Sequence, residues 1–167
     1  MPRSTRTEIV ERMRKGEVPG VSIAYLDQKK AIPIQPVVFG TTDAHASTPH
    51  VTVEEDTVFG AASLSKPVFS YLVLKLIADK KLSTADGKSF DLDTPISEIL
   101  QIDKFYGKEV NSAFSIEARK ITPRMVLSHT TGIPINGAPR VDFEPGTQYA
   151  YGNTALHYLQ KAIEKQT

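Results

Sequence analysis

A serine and a lysine three positions apart, Ser63 and Lys66, are residues whose types and spacing could carry out nucleophilic chemistry. Pro67 suits the first turn of a helix, where its missing N–H costs nothing, so the pair falls at or just before a helix N-terminus. Positions three apart share a helix face, so the Lys66 ammonium can lie beside the Ser63 hydroxyl and help remove its proton. The pattern therefore predicts Ser63 as a nucleophile.

The spacing of this pair is a weak signal by itself. The 12 Ser and 13 Lys among 167 residues predict about one Ser-x-x-Lys pair by chance, and the sequence contains one. The alternative interpretation is that Ser63 caps a helix while Lys66 is a solvated charge in its first turn. Support for a nucleophile must therefore come from elsewhere in the chain.

The triplet Tyr151-Gly152-Asn153 is a rarer pattern. With 6 Tyr and 3 Asn, roughly 0.1 Tyr-x-Asn triplets are expected by chance. One interpretation is that Tyr151 packs its ring while Asn153 caps a final helix. A phenol with a pKa of about 10 is a poor base at neutral pH, but an adjacent ammonium favours the phenolate and could lower that pKa. Tyr151 is therefore also a candidate general base.

The elements that must position these residues begin with a charged, weakly amphipathic helix over residues 1–15. Residues 21–26 alternate in the manner of a half-buried strand, and strand-like character returns over residues 31–40 after a loop. Pro33 and Pro36 cannot donate ladder hydrogen bonds, so this second strand is expected at an edge or interrupted. The sequence thus predicts a β-hairpin after the first helix.

The helix that carries Lys66 is expected to run to about Asp79. Its apolar residues cover much of its circumference, a pattern typical of a helix surrounded by other elements. We therefore expect it to be the central buried helix of an α-rich part of the chain.

Further helices are expected toward the C-terminus. A cap residue and Pro95 in the first turn begin a short helix over residues 96–100, while residues 103–115 are mixed in pattern and receive no assignment. A capped helix over residues 122–132 is expected to end at a glycine. An extended segment then leads into a final helix over residues 154–164.

The composition excludes several classes of function. A formal charge of +1 with 23% charged residues is not a polybasic surface, so nucleic acid and anionic membranes are not expected partners. There is no Cys, and His45 and His50 lack other ligand-type residues at metal spacing, so we predict no metal and no cofactor. No apolar run is long enough for a membrane span. The sequence as given lacks a signal peptide and indicates a cytoplasmic protein, although a periplasmic or secreted protein whose signal had been removed would look the same.

Four stretches together carry a family resemblance. In order, they are residues 18–24, 59–66, 121–134 and 143–153. A Ser-x-x-Lys at a helix start followed by a Tyr-x-Asn roughly ninety residues later is similar to the serine β-lactamase and penicillin-binding-protein superfamily. The likeness is to its class C-like branch, which includes family VIII esterases and D-peptidases.

The resemblance implies an α+β, β-lactamase/transpeptidase-like fold. Residues 1–57 would form the N-terminal helix and hairpin, and residues 58–167 the α-rich region. The resemblance makes Ser63 the acylated nucleophile, Lys66 its proton-handling neighbour and Tyr151 the general base. It makes Asn153 the residue that orients Lys66 and binds the substrate amide. Whether Lys66 or Tyr151 takes the proton first stays open.

Two details depart from the family pattern. Gly152 stands where many relatives have Ser or Ala, which would loosen the backbone that aims Tyr151. The run from His129 to Gly132 imitates a His-Thr-Gly box, but it precedes Tyr151 and lies at a helix end, whereas the family's third motif follows the tyrosine on a strand. We therefore interpret His129 as a hydrogen-bonded structural histidine at a helix C-terminus.

The sequence after the tyrosine motif lacks the C-terminal strands of the family's antiparallel sheet and its Lys- or His-x-Gly motif. We therefore expect the N-terminal portion of a longer serine hydrolase, inactive or weakly active by itself, because losing one oxyanion-hole donor typically costs about 10²–10³ in rate. Its substrate would be a small molecule or peptide with an ester, amide or β-lactam bond. Exposed edges and apolar faces predict a homo-oligomer, or the missing C-terminal half as a partner. The alternative is a non-catalytic binding or regulatory module with this fold.

Overall fold

The computed structural model describes residues 3–26, 29, 34–43, 51–108, 110–135 and 139–166. The chain divides into two compact units, Met1–Ala61 and Ala62–Thr167, which we describe separately. His45 and His50 lie outside the described residues, as does most of the expected loop between the two strands.

The first unit contains the predicted helix and hairpin. Helix α1 spans Arg3–Lys15, strand β1 Gly20–Leu26 and strand β2 Ile34–Gly40. The strands pair antiparallel, from Gly20 opposite Gly40 to Leu26 opposite Ile34. In the part of this unit that is described they form a two-stranded sheet. Together with the helices of the second unit, this confirms the predicted α+β class.

The second unit is built mainly from helices. Its α-helices among the described residues are α2 Ser65–Ala78, α3 Ile102–Tyr106, α4 Ser112–Ala118, α5 Pro123–Leu127 and α6 Thr154–Glu164. The 3₁₀ turn Ala62–Leu64 directly precedes α2, and a second 3₁₀ turn, Ile96–Glu98, lies between α2 and α3. None of the helices described in either unit is long and apolar enough to cross a membrane.

The central buried helix of this unit is α6, so the expectation that α2 would fill that place was wrong. Within α2, which is described throughout, only Val73 is buried, whereas Val68 and Tyr71 are 70% and 69% exposed. The apolar residues of α2 lie on all sides of the helix. Because the core contacts only one side, the apolar residues on the other sides are exposed to solvent. The apolar residues of α6 instead form one stripe, which is the pattern that a single core face requires. The buried residues of α6 are Ala155, Leu156, Tyr158, Leu159, Ala162 and Ile163.

The segment that received no assignment from sequence contains two short helices, α3 and α4. Helix α3 ends at Gly107, which has φ of 65°, a left-handed conformation that glycine adopts without strain. Asn111 starts α4, because its side chain accepts the N–H of Phe114 at 2.8 Å. Phe114 and Ile102 then join the core. The helices are too short to show a clear period in the sequence.

Two other helix boundaries differ from expectation. The predicted short helix over residues 96–100 is a 3₁₀ turn, and Pro95 precedes it with φ −57° and ψ 135° instead of lying in its first turn. Helix α5 is capped by Thr122 as predicted, but it ends at Leu127, well before Gly132. The reason is that His129 already has φ of 56°, so the chain leaves the helical path three residues earlier than the glycine.

Candidate active site

The 3₁₀ turn Ala62–Leu64 brings Ser63 to the start of α2. Leu64 occupies the N-cap position of α2 and makes no side-chain cap hydrogen bond, so Ser63 is not the cap of this helix. Ala62 has φ of 44°, a left-handed conformation that is uncommon for a residue with a Cβ. The turn leaves Ser63 exposed and places Lys66 on the first turn of α2.

Three predicted site residues meet at one atom. The Nζ of Lys66 donates a hydrogen bond to the Oγ of Ser63 at 2.9 Å. The hydroxyl of Tyr151 donates a second hydrogen bond to the same Oγ at 2.7 Å. Tyr151 lies in the extended segment that leads into α6. The Ser63 hydroxyl is therefore held between an ammonium and a phenol, as a nucleophile and its proton acceptor require.

The electrostatics of this group favour a proton acceptor at Tyr151. Hydrogen bonding with the Lys66 ammonium, followed by that with Ser63, lowers the pKa of the Tyr151 phenol below its ordinary value. The Lys66 Nζ also lies 4.9 Å from the centroid of the Tyr151 ring. A cation so near stabilises the phenolate relative to the phenol.

Asn153 lies at the N-cap position of α6, but its side chain makes no cap hydrogen bond. The backbone carbonyl of Asn153 accepts the N–H of His157 at 3.0 Å. Within the described part of the chain, no side-chain hydrogen bond joins Asn153 to Lys66. The amide of Asn153 is exposed and free to meet another polar group.

A cleft of about 780 Å³ opens between α2 and α6 beside Ser63. Asn153 and Lys66 line this cleft together with Ser63. Its walls are mainly apolar, and a polar rim runs along α6. The wall residues are Phe69, Leu72, Leu76, Leu156 and Ile163, and the rim residues are His157, Gln160 and Glu164. Mainly apolar walls with a few convergent polar groups are typical of small-molecule sites.

His129 lies against Tyr151, a contact that the sequence did not reveal. The two ring centroids are 4.7 Å apart with planes tilted by 37°. Burial, followed by the nearby Lys66 charge, lowers the pKa of His129 below its ordinary value. No spacing links residue 129 to residue 151, because the chain between them must first fold back on itself.

Backbone hydrogen bonds hold the chain between residues 129 and 151 in this folded-back path. The N–H of Gly146 bonds the carbonyl of Thr130 at 2.7 Å, and the N–H of Asp142 bonds the carbonyl of Gly132 at 2.8 Å. Gly132 has φ of 74°, and a Cβ there would lie 2.5 Å from the carbonyl oxygen of Phe143. This close approach requires glycine. The pairing of these two loop segments by backbone hydrogen bonds therefore brings His129 and Tyr151 together.

Among the described residues, no group of three or more His, Cys, Asp or Glu is arranged to hold a metal ion. The chemistry of the described site is that of a hydroxyl, an ammonium, a phenol and an amide.

Comparison with known proteins identifies the family of this chain. A family model described as Beta-lactamase matches residues 5–167. An uncharacterized protein of Alkalihalophilus pseudofirmus is 27% identical over 117 residues, which are 70% of this chain and 29% of that protein. The match thus spans less than a third of that relative's length. Because the family model covers all but the first few residues, the chain belongs to the Beta-lactamase family.

Proposed function

We propose that this protein is a serine hydrolase that forms an acyl-enzyme on Ser63. The observation that carries the proposal is the position of the Ser63 Oγ, which accepts hydrogen bonds from both Lys66 Nζ and Tyr151 Oη. Membership of the Beta-lactamase family supports serine-hydrolase chemistry in general. The substrate would be a small molecule or peptide with an ester, amide or β-lactam bond.

Tyr151 is the first base in this proposal. In its phenolate form Tyr151 has an unprotonated oxygen that can accept the Ser63 proton. Tyr151 has a lowered pKa, and its oxygen is 2.7 Å from the Ser63 Oγ, within reach for proton transfer. The Tyr151 phenolate takes the serine proton while Oγ attacks the carbonyl carbon.

The remaining steps return the site to its starting state. The tetrahedral intermediate collapses, the bond to the leaving group breaks, and Tyr151 gives its proton to that group. A water molecule then loses a proton to the Tyr151 phenolate and attacks the acyl carbon. The bond from that carbon to Oγ breaks, and Tyr151 returns the proton to Oγ, which releases the acid and restores the Ser63 hydroxyl and the phenolate. The Lys66 ammonium stabilises the phenolate and the developing charge on Oγ throughout.

Asn153 is the proposed substrate-binding residue. Its side chain is not used to cap α6, although it occupies the position where Asn most often does so. It lines the cleft together with Ser63 and Lys66. In the proposal its amide therefore binds a polar group of the substrate beside the reacting carbonyl.

Covalent labelling of Ser63 tests the proposal. The full product of the gene, and this 167-residue chain, would be treated with a fluorophosphonate and with a fluorescent penicillin, and the modified peptide would be identified by mass spectrometry. We expect the label on Ser63 and its loss in Ser63→Ala. Ser65→Ala is the matched control, because Ser65 lines the same cleft and should be dispensable.

Two results would count against a hydrolase. A folded wild-type protein that takes up neither probe would favour the non-catalytic module, and a label that persists in Ser63→Ala would place the nucleophile elsewhere. Circular dichroism of each variant shows whether it has kept its helices.

A further inference from the structure

His129 holds the backbone on both sides of Tyr151. The N–H of Ala150 donates a hydrogen bond to the backbone carbonyl of His129 at 2.8 Å. The N–H of Gly152 donates to the Nδ1 of the His129 ring at 3.4 Å. One residue therefore binds the amide before Tyr151 with its main chain and the amide after it with its side chain.

His129 is itself anchored to α5. Its N–H bonds the carbonyl of Val126 at 3.2 Å, and the N–H of Thr130 bonds the carbonyl of Met125 at 2.8 Å. Val126 is 1% exposed and belongs to the core of the second unit. The left-handed φ of His129, 56°, turns the chain out of the helix at this point. The two bonds to the Tyr151 segment thus start from a residue fixed by a packed helix.

The His129 ring also limits the motion of the Tyr151 ring. The two rings are in contact, with centroids 4.7 Å apart, and Tyr149 lies edge-on to the imidazole at 6.0 Å and 82°. Gly152 has no side chain to restrict its own backbone. The hydrogen bond from the Gly152 N–H to the His129 ring therefore restrains a backbone that glycine itself leaves flexible.

We propose that His129 is a positioning residue that holds the Tyr151 hydroxyl on Ser63, and that it does so with a neutral imidazole whose Nδ1 is unprotonated. The proposal rests on the proposed role of Tyr151 as the base. Only a neutral ring nitrogen can accept the Gly152 N–H, because both nitrogens of an imidazolium are donors.

The groups around the imidazole favour its neutral form. Lys66 faces it from α2 with a positive charge, and Tyr149 and Tyr151 face it from the segment before α6. Burial and the Lys66 charge keep the pKa of His129 below its ordinary value, and they outweigh a smaller, opposite effect of the Gly152 backbone. As the pH falls through that pKa, the ring gains a proton and loses the Gly152 bond, so Tyr151 is held on one side only, by the main-chain bond between Ala150 and His129.

Two variants test the hydrogen bond to the Gly152 N–H. Both remove the imidazole ring, and both tolerate the left-handed backbone conformation of residue 129. His129→Asn carries a side-chain oxygen near the place of Nδ1 and tolerates a left-handed φ. His129→Gly tolerates the same φ but has no acceptor. Neither keeps the imidazole, so the difference between them reports on the side-chain acceptor together with the greater backbone freedom of glycine.

The first test measures the rate of Ser63 labelling by a fluorophosphonate as a function of pH, in the full product of the gene. We expect the labelling rate of His129→Asn to stay within about tenfold of the wild-type rate. In this variant the rate should no longer decline at acid pH, because there is no imidazole to protonate. We expect His129→Gly to be slower by about 10²-fold, as for a catalytic group displaced by about 1 Å. A His129→Gly variant that labels as fast as wild type would overturn the proposal, whereas a wild type that does not label contradicts the proposed function instead.

The second test needs no activity and no variant. In ¹⁵N-labelled wild-type protein, the Gly152 amide resonance is followed by NMR while the His129 ring is titrated. The proposal predicts that the Gly152 amide shifts with the same midpoint as the imidazole. An amide that stays unchanged through the His129 titration would show that the bond is absent in solution and would overturn the proposal.

Discussion

The hydroxyl of Tyr151 donates a 2.7 Å hydrogen bond to the Oγ of Ser63 across a separation of 88 residues. Ser63 is placed by the turn before α2, and Tyr151 by the segment before α6. Helix α6 holds the Tyr151 segment in place, because the inner face of this helix lies in the core of the second unit. Two short motifs that are each weak as patterns are thus joined in one site.

Lys66 should control the ionisation of Tyr151. In Lys66→Met the phenol loses its hydrogen-bonding cation, so we expect the pKa of Tyr151 to rise toward its ordinary value of about 10. Less phenolate would then exist at neutral pH, and the labelling of Ser63 would need a higher pH. Absorbance titration gives the pKa of Tyr151 when the curve of the matching Tyr151→Phe protein is subtracted.

The control for this substitution is Lys75→Met on the same helix. Lys75 pairs with Asp79 at 2.6 Å and should leave the Tyr151 titration unchanged. Equal Tyr151 midpoints in wild type and Lys66→Met would contradict the assigned electrostatics.

Tyr158 should contribute to stability through a buried hydrogen bond. Its side chain is 0% exposed, and its O–H donates to the carbonyl of Leu100. Tyr158→Phe leaves that carbonyl unsatisfied, so we expect the free energy of unfolding in urea to fall by about 1–2 kcal/mol. Tyr71→Phe, at a 69% exposed residue, is the control and should change little.

The same tyrosine should produce an alkaline loss of stability. Burial raises the pKa of Tyr158 above its ordinary value, so above a pH of about 10 the folded state binds more protons than the unfolded state. Stability is therefore full below that pH and declines as the pH rises toward the folded-state pKa. The decline should be smaller in Tyr158→Phe, and equal declines in the two proteins would argue against a buried phenol.

The exposed apolar residues of α2 should cause self-association. Val68 and Tyr71 are 70% and 69% exposed, and adjoining apolar surface of this kind promotes contact between molecules. We expect the mass from light scattering to rise with protein concentration, and the double substitution Val68→Gln/Tyr71→Gln to reduce that rise. Ile116→Gln, at a 56% exposed residue of α4, is the control. A wild type that stays monomeric across the whole range would refute the expectation.

Sequence patterns predicted those parts of the fold that depend on residues close together in the chain. The hairpin follows from alternation, and α6 begins and ends where its amphipathic stripe does. The burial of α2 could not be predicted, because apolar residues all around a helix do not say which side meets the core. The end of α5 was misplaced because a histidine, His129, adopts the left-handed conformation expected at Gly132.

The candidate site could be anticipated in part. Ser63, Lys66 and Tyr151 were chosen from motif types and from a family resemblance, and the structure brings their side chains together. Their catalytic roles stay a proposal. The contact between His129 and Tyr151 depends on how two loop segments pair through backbone hydrogen bonds, which no spacing in the sequence records.

The most direct test of the Ser63 and Tyr151 pair is the rate of Ser63 labelling across pH in wild type and Tyr151→Phe. With Tyr151 as general base, we predict a rate about 10²–10⁴-fold lower in the variant at neutral pH. We also predict loss of the rise in rate that accompanies phenolate formation. A Tyr151→Phe protein that labels Ser63 at the wild-type rate, with the wild-type pH profile, would contradict the account.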